Sequence, residues 1–106
     1  MIIKYPELDD LFDNNMAQEI KKDKKLFPRI KSFAFQYLNL FENVYIQLLS
    51  RESHEEQKQA WIKFILEKFE SILFKEIWTE NKNLFDKSFV DYINNLIEVQ
   101  RQITAQ

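Results

Sequence analysis

The run from Ile30 to Leu49, IKSFAFQYLNLFENVYIQLL, constrains the fold more than any other part of the chain. Ile30, Ala34, Tyr37, Phe41, Val44, Tyr45 and Leu48 recur at steps of three and four, so a helix places them on one face. Ser32, Gln36, Asn39, Asn43, Gln47 and Ser50 fall opposite. Phe35, Leu38, Ile46 and Leu49 widen the apolar surface well beyond a single stripe, as expected of a helix with neighbours on more than one side. Such a rod must sit in the middle of a bundle.

Composition narrows the rest. The chain has 106 residues and no glycine, where average usage of ~7% would give several. Glycine-rich phosphate loops are therefore excluded, and any left-handed turn position is expected to fall to Asn or Asp. Ten Phe, four Tyr and two Trp supply large apolar areas for a core. Without cysteine, neither disulfides nor thiolate chemistry is available. A net charge of −2 makes no global case for a polyanionic partner. No apolar run reaches the ~18–20 residues of a membrane span, and Met1–Tyr5 is too short for an export signal. The expected location is the cytoplasm, at the inner face of a membrane if membrane helices lie outside this chain.

Five helices are predicted, near 7–21, 28–52, 54–70, 72–82 and 87–103. Together they form one all-α domain over 1–106, a single compact bundle around the central helix 28–52. Pro6 suits a helix start, and Glu7, Asp9, Asp10 and Asp13 complement the positive end of the first helix dipole. Its inward side would carry Leu8, Leu11, Phe12, Met16 and Ile20. Pro28 is expected to open the central helix. Ser53, with Glu56 three positions on, spells a capping box for the third, whose apolar residues are Ala60, Trp61, Phe64, Ile65, Phe69 and Ile72. The register changes near Ser71, after which Leu73, Phe74, Ile77 and Trp78 cluster. Asp86 or Ser88 would cap the last helix, facing inward through Phe89, Tyr92, Ile93, Leu96, Ile97 and Ile103.

Several residue groups bear on chemistry. Asp9, Asp10 and Asp13 spell D-D-x-x-D, a magnesium-binding pattern in terpene synthases and prenyltransferases. Those enzymes also need a large cavity and a second metal motif, for which this chain has no room. His54-Glu55-Glu56-Gln57-Lys58 starts like a zinc-protease helix, but Lys58 stands where the second His belongs. One His and no Cys cannot assemble an ordinary zinc site, and no strained turn or glycine supports Ser–His–Asp catalysis. No catalytic, metal-ligating or cofactor-binding residue is assigned, and the chain is not expected to be an enzyme.

Three groups remain. Residues 21–31 hold six basic residues against Asp23, where residues 1–20 hold one Lys against five acids. This basic loop, with Lys21, Lys22, Lys24, Lys25, Phe27, Arg29 and Lys31, could track phosphates on nucleic acid or anionic lipid, Phe27 stacking or inserting. Phe35, Ile46, Leu49, Trp61 and Trp78 are candidate interface residues toward another protein or a second copy. Glu42, on the secondary apolar face, is a candidate buried carboxylate, to be paired with Lys or Arg or with a Trp61 or Trp78 indole.

The order Asn39-Leu40-Phe41-Glu42-Asn43-Val44-Tyr45, then Trp61, then Phe74-Lys75-Glu76-Ile77-Trp78, then Phe85 to Ile93 resembles the helical cytosolic domain of uncharacterised bacterial proteins of unknown function, often membrane-anchored. The likeness would span residues 6–98 and rests on structural aromatics. It implies a helical fold and lends no activity. The leading expectation is a non-enzymatic helical interaction or regulatory module whose partner is another protein or, by self-association, a second copy; phosphate recognition through 21–31 is the alternative.

Overall fold

The computed structural model describes residues 14–52 and 54–104. Among them the chain is all-α, with five α-helices and no strand. These are α1 (Ala17–Lys22), α2 (Leu26–Val44), α3 (Glu55–Lys68), α4 (Ile72–Asn81) and α5 (Lys87–Thr104). A 3₁₀ turn, Asn14–Met16, leads into α1, and another, Lys82–Leu84, follows α4. Residues 7–13, with Leu8, Leu11, Phe12 and the Asp9, Asp10 and Asp13 acids, lie outside the described residues.

The helix boundaries follow from who satisfies the terminal N–H groups. The central helix opens at Leu26, two residues before the predicted Pro28. Asp23 is the reason: its Oδ1 accepts from the Lys25 and Leu26 N–H groups, both at 2.9 Å. Pro28 then sits in the first turn, where a missing N–H leaves nothing unpaired. At the other end α2 widens into a π turn, Tyr45–Leu49, and stops short of the predicted residue 52. The Ser50 N–H reaches back to the Tyr45 carbonyl at 2.9 Å, and its hydroxyl donates to the Ile46 carbonyl at 3.2 Å.

Ser53 lies outside the described residues. His54 precedes α3 in left-handed conformation, φ 67 and ψ 48. It is the one positive-φ residue among those described, so the expectation of Asn or Asp there is corrected. The break at Ser71 stands: its hydroxyl oxygen accepts from the Phe74 N–H at 3.2 Å, capping α4. Asn14 reinforces the corner, accepting from the Ile72 N–H at 2.7 Å and donating to the Glu70 carbonyl at 3.2 Å. Before α5, the Asp86 carboxylate accepts from the Ser88 hydroxyl, and the Val90 N–H donates to the Asp86 carbonyl at 3.0 Å.

Ile30, Ala34, Leu38 and Phe41 of α2 are fully buried, as a middle rod requires. They meet Ile65, then Leu73, Phe74, Ile77 and Trp78, then Phe89 and Ile93. Aromatic edges tie the layers together. Phe74 lies edge-on to Phe69 at 4.8 Å and to Phe41 at 6.4 Å between centroids, and Trp78 lies edge-on to Phe69 and Phe89. Burying each such ring contributes about 1.5–3 kcal/mol. The predicted inward sets need trimming: Met16, Ala60, Ile72 and Ile103 are exposed. Ile72 starts α4 instead of closing α3, and Ile103 lies in the last turn of α5.

Candidate functional site

The basic segment is not one loop. Lys21 and Lys22 end α1, Asp23 to Lys25 form the turn, and Phe27, Arg29 and Lys31 ride on the opening turns of α2. Lys21 is engaged, its ammonium 2.9 Å from Glu76 Oε2. Two backbone hydrogen bonds, from Leu26 and then Lys25, hold the Asp23 carboxyl below its ordinary range. Lys22, Lys24, Lys25 and Arg29 are exposed, Lys31 is half-buried, and the half-buried Phe27 packs against the core. The structure therefore corrects the expectation of a free aromatic in a basic loop: the ring that was to stack on a base or enter a membrane serves the interior.

The five candidate interface residues separate. Trp78 is only 3% exposed and Leu49 only 6%, so both leave the interface set. Trp78 is instead a core ring whose indole N–H donates to Asn94 Oδ1 at 3.1 Å. Phe35 is half-buried, stacked on Phe85 at 6.2 Å between centroids. Ile46, 55% exposed, stays available at the end of that face.

Glu42 belongs to the same face and is half-buried. Its Oε2 accepts from the Asp86 backbone N–H at 3.0 Å. Neither a cation nor an indole takes that place, which corrects both expected partners.

Trp61 lies elsewhere, half-buried between α2 and α3, its ring edge-on to Phe64 at 6.0 Å. With Leu40, Ala60 and Phe64 it lines a shallow groove of about 270 Å³. Leu40 is 42% exposed, on an α2 face that the helical spacing assigned to neither apolar set. Beside this groove the Lys68 ammonium stands over the Tyr37 and Phe64 rings, at 4.6 and 5.5 Å from their centroids, a cation–π arrangement.

A second and larger groove, about 540 Å³, opens where the end of α3, the start of α4 and the last turns of α5 meet. Sequence reasoning missed it, because Leu66, Lys75 and Arg101 acquire a common meaning only once α3 and α5 are packed together. Lys58 was missed too. It is buried, its stem packed inward and its ammonium 3.6 Å from Glu55 Oε1 at the surface, the usual behaviour of a long amphipathic side chain. Nearby, the Tyr45 and Tyr92 rings lie 5.0 Å apart. Burial first, then the Tyr45 and Glu55 charges, push the Tyr92 phenol above its ordinary range.

Among the described residues no cluster of three or more His, Cys, Asp or Glu is placed to hold a metal ion, and no helix is long and apolar enough to cross a membrane. No protein-family model, curated protein or solved structure matches the chain.

Proposed function

We propose that the chain is a non-enzymatic helical interaction module that self-associates weakly through the groove between α2 and α3. The observation that carries this reading is the groove's lining: Leu40, Ala60, Trp61 and Phe64 are all apolar. Contacts between identical subunits are the more apolar class of protein interface, and two-fold symmetry lets one such patch meet its own copy. Four side chains fall far short of the ~20–30 residues a side of a stable complex, so the dimer is expected to be concentration-dependent. Sedimentation velocity over a concentration series tests it. The wild-type chain should shift toward twice its mass as concentration rises, while Leu40→Asp stays monomeric with unchanged helical circular dichroism. A wild-type chain that stays monomeric throughout rejects the reading.

A second reading, phosphate recognition on nucleic acid or anionic lipid, draws on Lys22, Lys24, Lys25 and Arg29. All four are exposed and without an ion pair among the described residues. Titration against DNA, RNA and anionic vesicles at two salt concentrations separates the two, since phosphate contacts weaken steeply with salt.

A further inference from the structure

The groove between α3 and α5 differs in character from the one at Trp61. Its apolar part is Leu66 and Phe69 from the end of α3 and Ile97 from α5; Glu70, Lys75 and Arg101 bring charge to it. Phe69 is a core residue, so that surface is continuous with the packed interior. Lys75 and Arg101 are exposed and have no ion-pair partner among the described residues. In a chain of net charge −2, two cations against one acid make this a locally positive site. Its long walls are two packed helices, and it holds twice the space of the Trp61 groove.

We infer that this groove receives an acidic amphipathic helix of a partner protein. Apolar side chains on one face of such a helix, spaced i, i+4 and i+7, would fill the space over Leu66, Phe69 and Ile97, in the helix-in-groove mode of recognition. Carboxylates flanking that face would meet Lys75 and Arg101; a guanidinium can take a carboxylate through two parallel hydrogen bonds. In a two-fold contact the single acid, Glu70, can pair with only one of the two cations of the other copy, whereas a helix edged with carboxylates meets both. The inference concerns a different surface from the proposed self-association and stands independently of it.

The test uses the full chain and two fluorescent synthetic helices, one with Leu at i, i+4 and i+7 flanked by Glu, the other with Lys in place of every Glu. Fluorescence anisotropy should show saturable binding of the Glu helix. The doubly reversed variant Lys75→Glu/Arg101→Glu should weaken it at least about tenfold and take up the Lys helix instead. Both substituted side chains are exposed, so circular dichroism should match the wild type. Failure of the Glu helix to bind, equal binding of both helices, or binding that ignores the reversal overturns the inference. Two further outcomes also overturn it: saturable oleate binding, lost on reversal, without helix binding assigns the groove to a small amphiphile, and a wild-type dimer abolished by the reversal assigns it to a second copy.

Discussion

The Asp86 backbone N–H donates to Glu42 Oε2 at 3.0 Å, joining residues 44 positions apart. One carboxylate of the central helix thus holds the residue from which α5 starts, and the Phe35–Phe85 stack supports the same junction. Hydrogen bonds to a charged acceptor contribute about 1.5–3 kcal/mol, and partial exposure of Glu42 places this one toward the lower end. Glu42→Ala should therefore cost about 1.5 kcal/mol in urea unfolding, while Glu42→Gln, which keeps an acceptor, should cost less. Equal losses in the two variants would show that the contact does not hold α5.

Phe74 is the ring on which the layers converge, fully buried and in contact with Tyr37, Phe41 and Phe69. Truncation to Ala leaves a cavity among three aromatic faces and should cost about 3–5 kcal/mol. Against a whole stability of about 5–15 kcal/mol, Phe74→Ala should be largely unfolded at modest denaturant concentrations. Phe74→Leu, which refills most of the volume, should remain folded. Thermal unfolding followed by circular dichroism distinguishes the two.

Stability should fall at both ends of the pH scale, from different residues. Asp23 is held below its ordinary value by the N–H groups it caps. Its contribution is complete above the unfolded value and is lost as pH falls through the interval between the two. Asp23→Asn keeps a capping oxygen but cannot titrate, so its acid limb should be flatter. Tyr92 has the opposite sense, its phenol raised chiefly by burial. The folded state keeps the proton that the unfolded chain releases, so stability is lost as pH rises through the ordinary tyrosine range. In Tyr92→Phe that alkaline loss should shrink.

How much of this was legible beforehand depends on the range of the interaction concerned. Local signals were readable: the Ile30–Ala34–Phe41 seam, and the register change near Ser71 that separates α3 from α4. Interactions across the bundle were not. A carboxylate beside Leu38 and Ile46 announces that it needs a partner, but a backbone N–H 44 residues away leaves no mark in composition or spacing. The same holds for Asn14, whose amide stitches Glu70 to Ile72 across more than fifty residues. Trp78 was misplaced for a related reason: helical spacing shows which residues share a face, and packing alone decides which faces are covered.

Asn94 supplies the acceptor for the buried Trp78 indole, at 3.1 Å. Removing it strands a donor, which costs about 1–3 kcal/mol when water cannot replace the lost oxygen. Asn94 itself is exposed, so water has access from that side and the loss in Asn94→Ala should be near 1 kcal/mol. Trp78→Phe in the Asn94→Ala background should cost less than Trp78→Phe alone, because the donor and its acceptor would then disappear together. A double-mutant cycle by urea unfolding measures this coupling.

His54 carries a steric cost at this position that glycine, absent from the chain, would not. At φ 67 and ψ 48 its Cβ crowds the following carbonyl, a conformation about 1–2 kcal/mol less favourable for a non-glycine residue. The side chain is exposed and makes no capping hydrogen bond to α3, so its removal forfeits little. Glycine removes the steric penalty but widens the unfolded ensemble, a loss of about 0.4–1 kcal/mol. The balance predicts that His54→Gly stabilises the chain by about 0.5 kcal/mol, and that His54→Asn, at home in left-handed conformation, gains a smaller amount. His54→Val, whose branched side chain tolerates that region least, should lose stability. A rank order Gly, Asn, His, Val in urea midpoints supports the strain argument, and a midpoint that does not change across the four would remove it.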